Sequence, residues 1–506
     1  MMIEESDPSG QRSVLLVDLN NFARYPTLPI GYLAAVLRRA NYAVTVFAPL
    51  MVGVQGVTRE PRPHRFSLVA AKLNYRVATS SRDWVRRWRD RAAAKRLSGI
   101  SSHEAQVLAA VKAEIAIAKP QAVLISTYLM YRDTCAQICL ACKERGIPVV
   151  IGGPYFAQLD VIEEWVRLPG LSALVAGEVE LRLPTILETL LAKNDPSTHA
   201  GVVTTDAHGR PRGGIAPPLQ GLDSVPYPDY SDFPWSAYPN RIVPVITGRG
   251  CGWGVCTFCS DVTSTAGRTY RSRSPQNVLS ELAAHHRRFG VSRFVFTDLK
   301  LNSNIEMWRS IIGGMQDTVA GSRWIAAVHA GTEADNGLSE SSLRAAAKSG
   351  CVRLTTGLET GSQRIADSMK KGTRLETISA FLHGTAQAGI SARCTMILGH
   401  PGETADDVEA SVEFLARHRS VIERVSLNRL HLVTGTALHR AVKRKPEKFK
   451  GFTIVHENAG MAHVEHRHDV VHTASHRRAA MRLLTEVHRI NSRELSVNAR
   501  EFEGVM

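Results

Sequence analysis

Two groups of cysteines in this 506-residue sequence have spacings at which thiols act together. In RGCGWGVCTFCS, Cys251, Cys256 and Cys259 are separated by gaps of four and two residues; in CAQICLAC, Cys135, Cys139 and Cys142 are separated by three and two. Three converging thiolates are the ligand set of an iron–sulfur cube that leaves one of its irons free to bind something else. They are also part of a zinc site that would need a fourth ligand, such as Asp261. Context separates the two groups. Gly250, Gly252 and Gly254 let the first segment curl so that its thiolates meet. The second group has helical spacing, i, i+4 and i+7, which puts its outer thiols roughly 10 Å apart at 1.5 Å rise per residue. Such a stripe packs a helix on a sheet, and buried cysteine behaves there as a small hydrophobe. Cys251, Cys256 and Cys259 are therefore the candidate ligands.

The elements that must position them follow from the hydrophobic pattern. SVLLVDL, YAVTVF, AVLIST, PVVIGG and SALVAG read as short buried strands alternating with helices, the pattern of a doubly wound parallel sheet with its ligand site at the carboxyl ends of the strands. GVVTTDAHGRPRGGIAPPLQGLDSVPYPDYSDFPWSAYP, rich in Pro, Gly and Asp, reads as a linker with little periodicity. Beyond it VPVIT, RFVFTD, RWIAAVH, VRLTTG, SARCTMILG and RVSLN again alternate with helices, which predicts a partial barrel of six strand–helix units. The division is 1–204 for the first domain, with a basic insertion near 54–100, then linker 205–240, barrel 241–430, and a mainly helical tail 431–506 that shapes or caps the substrate site.

Composition restricts the function. Hydrophobic content of 44% and charged content of 22% are those of a globular protein, and no apolar stretch reaches membrane-spanning length. MMIEESDPSGQRS has no secretory pattern, so a reducing cytoplasm is the expected setting, where eight cysteines mean ligands or core thiols. Part of the net charge of +15 is local: residues 59–96 hold twelve Lys or Arg against three acids. A polyanion site is one reading; a solvated helix with Trp84 and Trp88 as its buried stripe is the preferred one, and nucleic acid is not expected as a partner. In the tail, His468, His472 and His476 recur every four residues and suit one helix face. Nothing completes a metal site there, so the face is solvated or holds an anionic substrate.

Several further stretches accompany the glycine-rich cysteine loop in order. YRSRSPQNVLSELAAHHRRFGVSRFVFTDLKLN, TTGLETGSQRIADSMKKGT and MILGHPGET, with ITGRGCGWGVCTFCS, resemble the successive motifs of the radical S-adenosylmethionine (SAM) enzymes over about residues 240–430. The family's usual first gap is three residues, and here it is four. The resemblance implies that Cys251, Cys256 and Cys259 ligate a [4Fe–4S] cluster whose free iron takes the methionine moiety of SAM. It also implies that Phe258 packs near the adenine, that Asp298 helps bind the amine, that Glu359 reaches a ribose hydroxyl or the amine, and that Gly399 to Glu403 line the adenine. Each acid could instead form an ion pair or cap a helix, and Phe258 could be a core aromatic.

LPIGYLAAVLRRANYAVTVF, IPVVIGGPYF and LVAGEVELRLP resemble, more narrowly, the N-terminal domain of cobalamin-binding members. That resemblance implies cobalamin at the carboxyl ends of the first sheet, against Gly152, Gly153, Gly177 and Glu178, with Tyr128 toward its lower face. VDLNNFARYP shows no Asp-x-His-x-x-Gly motif to supply an axial histidine. The activity expected is thus that of a radical SAM enzyme with cobalamin as a further cofactor. It methylates an unactivated carbon of a small-molecule or natural-product substrate, with electrons from a flavodoxin- or ferredoxin-type donor. The alternatives are radical rearrangement, oxidation or cyclisation without cobalamin, a tRNA methylthiotransferase, and, from another class, a zinc or electron-transfer protein. No residue is assigned as the catalytic group that acts on substrate.

Overall fold

Strand β1 (Arg12–Asp18) is apolar at consecutive positions because both of its faces are covered: Val14, Leu15, Leu16 and Val17 are all buried. The structure is a computed structural model and describes residues 11–505 except 21, 23, 57, 61, 65, 81, 86, 90, 92–99, 262–269 and 334. The reading of the first ten residues, and parts of the basic insertion, lie outside the described residues. β1 pairs in parallel with β2 (Tyr42–Phe47) and β3 (Ala122–Ser126), and the sheet continues through β4 (Val149–Gly152) and β5 (Ala173–Val175). The order β2-β1-β3-β4-β5 is the expected doubly wound parallel sheet. Cys135, Cys139 and Cys142 lie on the helix Arg132–Lys143 and are fully buried against one side of it. They are core thiols, as their spacing predicts.

Three sequence expectations need correction. First, the sheet extends by two antiparallel strands, β6 (Val202–Thr205) and β7 (Pro211–Gly213), the second inside the segment read as linker. Its three residues are exposed and it pairs through backbone, so no apolar pattern announces it. Second, Trp84 and Trp88 are 63% and 61% exposed and form no buried stripe; Val85 is buried instead. The inward-facing aromatic of the insertion is Tyr75, on the helix Ser67–Ala78. Third, the histidines at four-residue intervals share no helix. His468 ends a strand, His472 lies in a short 3₁₀ turn, and His476 sits in the helix Ala474–Asn491. Thr473 caps that helix and fixes its start between the last two.

The remainder of the linker is docked on both domains. Tyr230 is fully buried under the helix Leu28–Arg39, so close that a Cβ on Gly31 would lie 2.6 Å from its ring. Its hydroxyl donates to the Pro244 carbonyl at 2.9 Å. Arg38 reaches Asp229 at 2.7 Å and Asp232 at 2.5 Å.

Six parallel strands form the second sheet in sequence order: β8 (Val243–Val245), β11 (Arg293–Phe296), β12 (Arg323–Val328), β13 (Cys351–Glu359), β14 (Ser391–Leu398) and β15 (Ile422–Arg429). This is the partial barrel expected. Helices such as Pro275–Phe289, with Val278 and Leu282 buried, cover one face. On the other face Val295, Ile325 and Val352 pack with Phe502 and Val505 from the end of the tail. The tail contains the expected helices, Ala437–Arg444 and Ala474–Asn491, together with a small antiparallel sheet in the order β16 (Leu432–Val433), β18 (His463–His468), β17 (Phe452–Asn458).

Candidate functional site

The cysteine loop leaves the barrel directly after β8. β9 (Gly248–Arg249) and β10 (Arg271–Ser272) close its base as an antiparallel pair with Arg249 opposite Arg271. Two cations side by side repel, and Glu178 and Glu180 of the first domain offset them, Glu178 bridging both. It receives Arg271 through two bonds of 2.7 and 3.0 Å and lies 3.2 Å from Arg249, which also reaches Glu180 at 2.9 Å. Burial pushes the Glu178 carboxyl upward, yet the arginines outweigh it and hold the carboxyl below its ordinary range. From the barrel side Asp298 accepts the Thr247 amide at 3.1 Å, the Thr247 hydroxyl at 2.8 Å and the Gly248 amide at 2.9 Å. Burial nevertheless raises its pKa to about 6.

Within the loop Gly250 and Gly254 adopt φ of +84° and +57°, the left-handed region that favours glycine. Cys251, Cys256 and Cys259 are free thiols of intermediate exposure. Among the described residues no three His, Cys, Asp or Glu side chains come together closely enough to hold one metal ion. An Asp261 carboxylate oxygen is 4.0 Å from the Cys259 sulfur. The donor set is thus three soft thiols on a curled loop, which fits a cluster better than a four-ligand zinc shell. Burial raises the Cys256 thiol and pushes Cys259 up to about 12, while Lys371 opposes both shifts. The loop is pinned by the Thr257 amide, which donates to Met369 O at 2.9 Å, and by the Thr257 carbonyl, which accepts from Leu438 N at 2.7 Å. Phe258 packs on the tail cluster around Leu438 and Val464, with the Lys371 ammonium 5.9 Å from its ring centre.

Glu359 ends β13 at a register shift and has φ of +60°, a strained conformation for this residue. It accepts from Lys371 Nζ at 2.9 Å and from the Thr395 hydroxyl at 3.3 Å. Trp253, inside the cysteine loop, donates to Lys370 O at 2.9 Å and stacks on His329 at 6.0 Å between ring centroids. Burial, then Lys371 and Lys300, press His329 down to about 3, so its ring is neutral, and its buried Nε2 has no hydrogen-bond partner among the described residues. In the GHPGET turn the Gly399 amide, at φ +94°, donates to Glu403 Oε1 at 2.9 Å. The same oxygen lies 3.1 Å from His476 Nε2, and His476 Nδ1 is 3.4 Å from the Tyr75 hydroxyl.

The first sheet presents its carboxyl ends to this loop. A Cβ on Gly153 would stand 2.2 Å from the Thr127 carbonyl, so backbone packs on backbone there and only glycine fits. Gly152 ends β4, and Gly177 has φ of +102°. Tyr155 hydrogen-bonds Ser260 of the cysteine loop, and Asp261 influences both Tyr155 and Tyr128.

Lys371 links Cys256 and Cys259 with Phe258 and Glu359, and Cys251 lies near Cys256. Asp298 and Glu178 instead brace the root of the loop, and Glu403 is engaged by the turn and the tail. Lys371, Trp253 and Tyr155 escaped the sequence reading, although Lys371 lies in the quoted SMKKGT and Tyr155 in GGPYF. Only contacts between loops distant in sequence give them roles.

Residues 245–415 match the radical SAM superfamily. The barrel is a radical SAM domain. A radical SAM domain implies a [4Fe–4S] cluster and SAM as cofactors. An uncharacterised methyltransferase of Pyrococcus horikoshii is 28% identical over 273 residues, 53% of this chain and 57% of that protein. The chain thus spans little more than half of that curated relative. Among solved structures, the radical SAM methyltransferase TsrM of Kitasatospora setae, with cobalamin and a [4Fe–4S] cluster bound, is similar at TM-score 0.61 and 15% identity. The alignment takes in 88% of this chain and 77% of that one. The cobalamin-dependent SAM radical enzyme OxsB, with aqua-cobalamin and SAM bound, is similar at TM-score 0.67 and 15% identity, covering 90% of this chain and 64% of that one. At these identities the likeness is one of fold, and it takes in the N-terminal sheet as well as the radical SAM domain. Among the described residues no helix is long and apolar enough to cross a membrane.

Proposed function

We propose that this chain is a radical SAM methyltransferase that holds cobalamin between its two domains and methylates an unactivated carbon of a small molecule. What carries the reading is a likeness spanning nine-tenths of the chain to an enzyme solved with aqua-cobalamin and SAM. The glycine at 153, where the first sheet's carboxyl end closes on itself, supports it. When bound, the cluster and SAM supply a 5′-deoxyadenosyl radical able to take hydrogen from an inert carbon, and cobalamin supplies a methyl carrier.

In this reading Cys251, Cys256 and Cys259 hold the cluster. Lys371 lies close enough to Cys256 and Cys259 to offset part of their negative charge as thiolates, and it orients Glu359 toward the polar end of SAM. Gly399 and Phe258 line the adenine. Asp298 acts one step behind, holding Thr247 and Gly248 so that the loop starts from a fixed point. Tyr128, Gly152, Gly153 and Gly177 form the cobalamin face, while Glu178 secures it to the barrel. Closing the two domains over the loop excludes water from the reacting carbon.

The test is the corrin-to-protein ratio after anaerobic purification from cells supplied with cobalamin. A ratio near one supports the reading. A ratio near zero with an intact cluster overturns the methyl-transfer part and favours radical rearrangement, oxidation or cyclisation.

A further inference from the structure

The helix Ser67–Ala78 of the basic insertion is held to the protein by one side and apolar on the other. Tyr75 is buried, with its hydroxyl 3.4 Å from His476 Nδ1. The Thr79 carbonyl, just past the helix end, accepts from Arg477 Nη2 at 2.7 Å and lies 2.7 Å from His472 Nδ1. Phe66 precedes Tyr75 by nine residues, which is about two and a half helical turns and sets the two on opposite sides. Val69 and Leu73, three and seven residues after Phe66, share its side. Phe66, Val69 and Leu73 are 74%, 65% and 59% exposed.

The same outward pattern recurs in the next stretch. Residues 83–85 and 87–89 are helical, with Val85 buried and Trp84 and Trp88 facing out one turn apart. Arg89 donates to the Ala78 carbonyl at 2.8 Å and so ties this stretch to the end of the first helix. Phe66, Trp84 and Trp88 are the only exposed Phe or Trp side chains among the described residues. Stray surface hydrophobics are scattered singly, whereas a gathering of large ones marks a docking face.

Charge decides what docks there. Residues 66–91 carry seven Lys or Arg against two acids, and Arg76, Arg82, Arg87 and Arg91 are exposed. Arg87 and Arg91 each follow a tryptophan by three residues, so cation and aromatic ring alternate along one side. A protein surface closing over that side would strip water from the cations among the rings. The headgroup layer of a bilayer takes both groups at once: indole rings sit at headgroup depth, and the long arginine stems leave their guanidinium groups beside phosphates. Anionic lipid adds direct attraction.

We infer that Phe66, Val69, Leu73, Trp84 and Trp88, with the exposed arginines between them, dock the protein on an anionic membrane surface. The docked face lies in the plane of the interface and does not cross it.

The experiment is co-sedimentation of the full-length, anaerobically purified protein with lipid vesicles, together with quenching of tryptophan fluorescence by brominated acyl chains. Saturable binding to mixed phosphatidylglycerol and phosphatidylcholine vesicles is expected, weakening as salt is raised. Trp84→Ser/Trp88→Ser weakens it about tenfold or more, as for withdrawal of two rings from lipid, and removes the quenching. Arg76→Gln/Arg87→Gln weakens it about tenfold or more through lost attraction to the anionic surface. Ile117→Ser, at an exposed position on the helix Ser102–Ala118, leaves it unchanged. Wild-type binding no stronger than that of the tryptophan variant overturns the inference, as does equal binding to phosphatidylcholine alone. A concentration-dependent dimer that replaces vesicle binding and is lost in the tryptophan variant also overturns it, and gives the face to a second copy of the chain.

Discussion

Lys371 Nζ lies 2.9 Å from Glu359 Oε1, and the same ammonium stands 5.9 Å from the ring centre of Phe258, between two of the candidate cluster ligands in sequence. Both side chains of the pair are nearly buried, at 13% and 7% exposure. Burial works against the charge on Lys371, but the Glu359 carboxylate outweighs it and holds the ammonium above its ordinary range. One cation therefore couples the strained end of β13 to the cysteine loop.

Lys371→Met leaves Glu359 as a buried charge without its partner. Breaking a buried pair from one side costs about 3–5 kcal/mol, so chemical denaturation should show a loss near that size. SAM cleavage should fall with it, even where iron content is retained.

Cys256→Ala should abolish iron loading and the release of 5′-deoxyadenosine. Cys139→Ala, in the packed helix of the first domain, should retain both and lose about 1–2 kcal/mol of stability through the small cavity. Iron analysis and product chromatography of the two variants separate the roles; an active Cys256→Ala enzyme would refute the assignment.

Gly153→Ala places a methyl group where the Thr127 carbonyl stands at 2.2 Å. The turn after β4 must shift, and the corrin-to-protein ratio should drop while iron content stays constant. Equal corrin retention would remove this turn from the proposed cobalamin face.

Asp18, at the end of β1, has a pKa raised to about 6 by burial, against the lowering effect of its bonds to Thr27 and Asn20. Its folded value lies above the unfolded one of 3.8. The stability it contributes is therefore complete below about pH 4 and is lost as pH rises through about 6. Asp18→Asn should flatten the dependence of Tm on pH within that window, by an amount on the order of 2–3 kcal/mol.

The two sheets were legible in the sequence because buried parallel strands write themselves as apolar runs: SVLLVD, AVLIS and RFVF stand where they were expected. The packing of Cys135, Cys139 and Cys142 was legible from helical spacing. What stayed hidden depends on partners distant in sequence. Trp84 and Trp88 have the spacing of a buried stripe, yet both are exposed, and the buried aromatic of the insertion is Tyr75, whose hydroxyl meets His476 four hundred residues away in sequence. HVEHRH reads as a polar tail and becomes β18 only because β16 and β17 flank it. Asp298 was expected to bind SAM and Glu178 cobalamin, roles that the motifs suggest and that local pairing does not reveal. Pairing with Thr247 and with Arg271 shows that they brace the loop's root.

The clamp of Glu178 on Arg249 and Arg271 has a consequence for how such a protein is loaded and lost. Those arginines are the two gateposts of the cysteine loop, and the domain that holds them is the one on which the second cofactor would rest. Prising the domains apart far enough to admit or release a corrin-sized molecule means releasing both posts, so the loop would slacken whenever the cleft opened. Exchange of one prosthetic group would then leave the other exposed to air and solvent for as long as the cleft stood open.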